Sequence, residues 1–131
     1  MVYDNNFDVT GFGITTLDYI CVVDHLPNYQ KQTCIKDVKL FGGGCVSTAL
    51  VTVNRLGGSC SLITLLGDDW IGKEVLKGLK EENIDCYGID IEKDQISSFS
   101  FIQVSRKQGK RAISCYPGSG QNLKFGEKAK K

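Results

Sequence analysis

Along the chain of 131 residues, short apolar runs alternate with glycine-rich breaks. Residues 7–14 read as a strand ending in Gly11-Phe12-Gly13. A bend through Leu17-Asp18 leads to a short second strand over 19–23, which sets Asp18 just past a strand end, either as a ligand-binding residue or as a turn aspartate bonding its own backbone. Asp24-His25-Leu26-Pro27-Asn28 reads as a turn. Residues 33–41 alternate imperfectly, with Ile35, Val38 and Leu40 against Lys36, Asp37 and Lys39, and predict a bulged or edge strand. From Val46 the period changes. Val46, Ala49, Leu50, Val53 and Leu56 share one helical face, and Gly57 ends the helix. Residues 59–66 leave few polar positions, which suits a strand covered on both faces in a parallel sheet. Gly67-Asp68-Asp69 opens a second helix over 70–82, capped by Asp68 or Asp69, with Ile71, Val75, Leu76 and Leu79 as its apolar face. Strand, helix, strand and helix in succession predict an α/β fold with a doubly wound parallel sheet.

The pattern then becomes local. A strand over 86–91 precedes a hairpin of 97–105 and 110–116, turning at Lys107-Gln108-Gly109. Strands this close predict an antiparallel piece beside the parallel sheet. Pro117-Gly118-Ser119-Gly120 interrupts it, and residues 122–131 begin a third amphipathic helix with little apolar face.

Length and composition fit one domain. The net charge of +1 gives no electrostatic case for nucleic acid or an anionic membrane surface. No apolar run approaches the ~20 residues of a membrane span. The six cysteines (Cys21, Cys34, Cys45, Cys60, Cys86 and Cys115) form no C-x-x-C pair, which argues against a zinc knuckle or a redox motif, and no metal site is expected. The N-terminus lacks a basic and apolar leader. Runs such as Ile20-Cys21-Val22 predict reduced, mostly buried cysteines in a cytoplasmic protein. His25, the single histidine, reads as a solvated turn residue.

Three glycine motifs bear on chemistry. Gly11-Phe12-Gly13 is followed by Thr16 where a dinucleotide fingerprint wants a third glycine, so that motif is rejected. Gly67 to Glu74 nearly matches G-x-x-x-x-G-K-[ST], but Glu74 offers no hydroxyl for magnesium, and Asp68 and Asp69 would repel phosphate. The run Gly42-Gly43-Gly44 opens a helix. Free N–H groups at a helix start suit a polar or anionic ligand. A tight turn without a ligand explains the same glycines equally well.

Several pieces coincide in order: Gly11-Phe12-Gly13 with Leu17-Asp18, the loop Gly42-Gly43-Gly44-Cys45-Val46-Ser47, the helix end Arg55-Leu56-Gly57-Gly58, and Leu66-Gly67-Asp68-Asp69-Trp70-Ile71-Gly72. Together they resemble the N-terminal half of carbohydrate kinases of the PfkB/ribokinase family. The run from Leu17 to Pro27 looks most like the ketohexokinase-like members. The resemblance implies a partial ribokinase-like domain over 1–131. Its α/β core would take about 7–14, 42–91 and 121–131. A small antiparallel β lid, about 19–40 and 97–116, would cover the substrate and pair two subunits. It further implies ATP and Mg2+ as cofactors and a sugar or nucleoside as substrate, with Asp18 holding sugar hydroxyls and Gly42 and Gly43 meeting the sugar through their backbone. Gly44 stands where ketohexokinase-like members carry a polar residue. Ser47 stands where the family carries asparagine, and one hydroxyl replaces a longer amide. The family's catalytic base lies in a G-x-G-D motif. The nearest string, Gly118-Ser119-Gly120-Gln121, ends in glutamine and comes too early. The base and most of the ATP site are therefore expected beyond Lys131, and these residues alone should not turn over substrate. A self-standing, non-catalytic binding or dimerisation module is the competing expectation.

Overall fold

The computed structural model describes residues 6–125. In chain order these form β1 (Val9–Phe12), β2 (Thr16–Val23), β3 (Ile35–Gly43), α1 (Cys45–Arg55), β4 (Cys60–Gly67), α2 (Trp70–Glu81), β5 (Ile89–Glu92), β6 (Phe99–Ser105), β7 (Lys110–Tyr116) and a 3₁₀ turn at Gly118–Asn122. β1 is shorter than its apolar run, and β5 begins only at Ile89. The stretch 123–125 is not helical, and the rest of the expected third helix lies outside the described residues.

The core sits on a parallel sheet ordered β1-β4-β5. β4 is its middle strand, so its nearly continuous apolar run is covered on both faces, and Leu62 and Leu66 are completely buried. Leu50 of α1 and Val75 and Leu79 of α2 pack in the same cluster, with Ile84 and Ile89. Burying each such side chain stabilises the fold by about 1.5–3 kcal/mol. Gly11 of β1 and Gly13 just after it set the helix-to-sheet spacing: a Cβ on Gly11 or Gly13 would lie 2.6 or 2.4 Å from a Val46 methyl.

α1 turns most of its predicted apolar face to the core: Leu50 is buried, and Val46 and Val53 pack against the same cluster. Ala49 is exposed and Leu56 is 83% exposed, while Ser47 is buried. Two polar side chains of the helix find partners in the protein. The Ser47 hydroxyl finds backbone acceptors, and Asn54 Nδ2 donates to Glu82 O at 2.7 Å. Leu56 caps the helix and leaves the core with it. Gly57 then takes φ 98°, and the N–H groups of Gly57 and Gly58 close on Asn54 O and Val53 O. That is the Schellman ending that glycine at this position permits.

The second sheet is ordered β3-β2-β6-β7. Its outer pairs, β3 with β2 and β6 with β7, are antiparallel, but β2 and β6 run parallel at its centre. The sheet is therefore mixed where an antiparallel one was expected. β6 is reached only after the chain has passed back through the core, so it leaves in the same direction as β2. β2 is also longer than the apolar run 19–23. It starts at Thr16, and Asp18 lies inside it, paired with Phe41 and Ser100. The expected bend at Leu17-Asp18 is absent because both flanking strands continue the ladder down to that level.

Two side-chain expectations also change. His25 is half-buried and its Nε2 has no partner among the described residues. The turn that carries it is held down: Ser105 Oγ donates to Asp24 O at 2.8 Å, and Leu26 N donates to Gln108 Oε1 at 3.3 Å. All six cysteines are free, but only Cys21 and Cys60 are buried, with Cys86 intermediate and Cys34, Cys45 and Cys115 exposed. Three of these runs fall on edge positions or on the first helical residue, where apolar sequence neighbours do not mean burial. Burial pushes the Cys60 and Cys86 thiols up.

Candidate functional site

The small sheet joins the core where β2 begins, β3 ends and α1 starts. Successive strand residues face opposite sides, so Thr16 and Asp18 share one face. Thr16 Oγ1 donates to Asp18 Oδ1 at 2.9 Å. The register places Phe41, Asp18, Ser100 and Cys115 in one row across the four strands on that same face. The other carboxylate oxygen rests against Gly43, where a Cβ would lie 2.2 Å from Asp18 Oδ2. Oδ2 takes no hydrogen bond among the described residues. Only glycine at 43 leaves room for this carboxylate.

The glycine run divides into three roles. Gly42 and Gly43 are the last residues of β3, so they belong to the strand and not to a loop. Gly42 pairs with Leu17 and faces away from Asp18, with nothing within 4 Å of its missing Cβ. It opens onto a cleft of about 350 Å³ between α1, α2 and the sheet base, lined also by Thr15, Leu17, Gly43 and Ser47. Gly44 makes the strand-to-helix turn at φ 97°, and a Cβ there would lie 2.4 Å from Ile14 O. Ser47 is buried and donates to Gly43 O at 2.6 Å. The structure thus brings Asp18 against Gly43, and Gly43 and Gly44 against Ser47, while Gly42 looks out on the other side.

Thr15 and Thr16 escaped the sequence reading. The signal for Thr16 was the i, i+2 spacing to Asp18, which has meaning only once β2 extends to residue 16. The row partners Ser100 and Cys115 are set by pairing between strands distant in sequence, and no local pattern reveals them.

The near-phosphate loop is spent on structure. Asp69 Oδ1 accepts from Gly72 N at 3.0 Å, from Ser97 N at 3.2 Å and from Ser97 Oγ at 2.6 Å. Gly67 N in turn donates to Ser97 Oγ at 2.8 Å. Gly118-Ser119-Gly120 is likewise buried. Ser119 Oγ donates to Leu65 O at 3.4 Å, and a Cβ on Gly118 would lie 2.4 Å from Ile96 O. No cluster of three or more metal-ligating side chains occurs among the described residues. The Gly67 and Gly72 amides that a nucleotide phosphate would use are therefore already engaged, and no helix among the described residues is long and apolar enough to cross a membrane.

A parallel β/α core carrying a small mixed sheet at the carboxyl end of β1, with glycines and an aspartate at the junction, defines the ribokinase-like α/β class. Residues 6–130 match the model of the pfkB family of carbohydrate kinases, and the chain belongs to that family. It is 32% identical over 120 residues to a ribokinase of Dictyostelium discoideum, covering 92% of this chain and 37% of that protein. A nucleoside kinase of Methanothermobacter thermautotrophicus is 28% identical over 95 residues, covering 72% of this chain and 31% of that protein. The fold also matches a ribokinase from Cryptococcus neoformans solved in complex with ADP, with TM-score 0.74 and 22% identity, covering 84% of this chain and 34% of that one. The chain thus spans about a third of the length of the relatives it matches.

Proposed function

We propose that these residues form the substrate-holding and lid part of an ATP-dependent carbohydrate kinase that phosphorylates a sugar hydroxyl. The observation that carries this is the Asp18 carboxylate. It is half-buried, oriented by Thr16, pressed against a glycine, and left with an oxygen that no protein donor uses. A carboxylate in that state accepts from hydroxyls through strong charge-assisted bonds, and it repels an anion. A neutral polyol therefore suits this place better than a phosphate. The proposed contacts are Asp18 and the backbone of Gly42, Gly43 and Gly44, with Ser47 of α1 bonded behind them to Gly43 O. A nucleoside is the second reading. Its ribose presents the same hydroxyls, and the nucleoside kinase relative favours it.

ATP and Mg2+ would supply the phosphoryl group and its charge neutralisation. In the Gly67 to Gly72 loop the two glycine amides that could meet a phosphate are already engaged with Ser97 and Asp69. This supports the reading that the phosphoryl-transfer residues are not among those described, so that the 131 residues by themselves should turn nothing over. The lid exposes apolar side chains, including Val38, Leu40 and Phe101, beside a ring cluster of Tyr19, Phe99, Phe101 and Tyr116. That surface supports pairing of two subunits through the lid. A cytoplasmic location agrees with the free thiols.

Two measurements on the 131-residue chain test the reading. Titration with D-ribose, D-fructose and adenosine, followed by backbone amide NMR, should shift Asp18 and Gly42 to Gly44. No shift with any of the three would sink the substrate-holding role. An ATP-consumption assay over the same panel should show no turnover, and saturable turnover would overturn the division of labour.

A further inference from the structure

One backbone carbonyl at the base of the lid receives two buried hydroxyls. Thr15 Oγ1 donates to Gly43 O at 3.1 Å, and Ser47 Oγ donates to the same oxygen at 2.6 Å. Thr15 is 2% exposed and Ser47 is 4% exposed. Ser47 Oγ also lies 3.1 Å from Gly44 O, but that carbonyl already accepts the helical bond from Thr48 N at 3.0 Å. A hydroxyl has one proton to give. It therefore goes to Gly43 O, the nearer acceptor and the one without that helical donor.

The three residues come from the three segments that meet at the junction. Thr15 immediately precedes β2, Gly43 ends β3, and Ser47 lies in the first turn of α1. Their bonds tie both stalks of the lid to the helix. Gly43 also touches the Asp18 carboxylate, so whatever fixes Gly43 fixes the floor beneath that side chain. We propose that Thr15 and Ser47 are positioning residues that act through the Gly43 carbonyl, setting Gly43 against Asp18 and the lid against α1. This rests on the reading that Asp18 holds substrate hydroxyls. It gives Ser47 a role different from direct contact.

Thr15→Val removes the hydroxyl at nearly constant volume, Thr15→Ser keeps it, and Ser47→Ala removes the second donor. Affinity for D-ribose or D-fructose, whichever the unsubstituted chain binds more tightly, should fall about tenfold in Thr15→Val and in Ser47→Ala. Hydrogen exchange should quicken at the amides of Leu17, Asp18, Gly43 and Gly44 and stay unchanged at Leu62 and Leu66 of β4. Thr15→Ser should restore both readouts. The proposal fails if Thr15→Val binds and exchanges like the unsubstituted chain. It also fails if Thr15→Ser behaves like Thr15→Val, which would make the effect one of volume, or if exchange rises equally in β4, which would make it global. If the unsubstituted chain binds neither sugar, the substrate reading falls, and the exchange measurement alone decides the positioning role.

Discussion

Two aspartates stand where the chain leaves the core sheet, and the fold treats them oppositely. Asp69 follows β4, caps α2 and takes three donors from Gly72 and Ser97. Asp18 lies in β2 just beyond β1 and takes one, from Thr16. Both are flanked by glycines that a Cβ would spoil: at Gly72 it would lie 2.3 Å from Gly67 O, and at Gly43 it would lie 2.2 Å from Asp18 Oδ2. The difference is in how many donors the neighbouring strands bring. Around Asp69 three of them converge on one oxygen, Oδ1, and lock the helix start to the segment before β6. Around Asp18 only the Thr16 hydroxyl reaches the carboxylate. A carboxylate's capacity to bind a ligand grows with the acceptor sites that folding leaves unfilled.

The largest effect should come from the aspartate with three donors. Asp69→Ala removes the cap and strands the buried Ser97 hydroxyl and amide, so urea denaturation should show a loss of about 3 kcal/mol. A loss no greater than that of an exposed aspartate would erase the contrast. Gly43→Ala should cost about 1–3 kcal/mol through overpacking. It should also weaken sugar binding, because the new methyl displaces the Asp18 carboxylate. Asp18→Ala should leave the denaturation midpoint nearly unchanged while lowering sugar affinity by roughly 1.5–3 kcal/mol, the value of a charged hydrogen bond. Normal binding by this variant would reduce Asp18 to a structural residue of the strand.

Gly78 sharpens the point about glycines. It sits inside α2 with nothing within 4 Å of its missing Cβ. Gly78→Ala should therefore raise the unfolding free energy by up to ~1 kcal/mol, the helix preference of alanine over glycine. The smallest effect concerns surface carboxylates, which resemble neither interior case. Bonds from the Ser59 amide and hydroxyl hold Asp8 below the usual carboxylate range, and the Arg55 guanidinium does the same for Glu82. Both groups have a lower pKa folded than unfolded. Their contribution is present above the unfolded value and is lost as pH falls through the folded one. Thermal midpoints should drop modestly across the acidic range below the ordinary carboxylate values. Glu82→Gln should make that drop shallower, and an unchanged profile would show that the Arg55 pair contributes nothing.

Much of the molecule was legible in the chain. The apolar run of β4, the α2 face with its Asp69 cap, and the hairpin of β6 and β7 all follow from periodicity and turn chemistry over neighbouring residues. So does the end of α1 at Gly57. Family membership was legible too, because glycines and aspartates recur in order and each is needed where the backbone turns or crowds. Errors arose where a polar side chain entered a buried or paired position. Asp18 looked like a bend residue and is in a strand, Ser47 is buried at the start of α1, and His25 was drawn under a turn held by Ser105 and Gln108.

What the sequence determined by itself is local: which stretches extend, which coil, and where only glycine can stand. Tertiary structure alone decided that β2 and β6 run side by side in parallel, that Ser97 closes on Asp69, and that Thr15 and Ser47 converge on one carbonyl. The bonds of Thr15 to Gly43 and of Ser97 to Asp69 each span 28 positions, and the paired residues of β2 and β6 stand 82 apart. Local propensity acts over a turn or a strand length. Donors that meet across such separations are chosen by packing, and here that choice gives one aspartate three donors and the other a single local one.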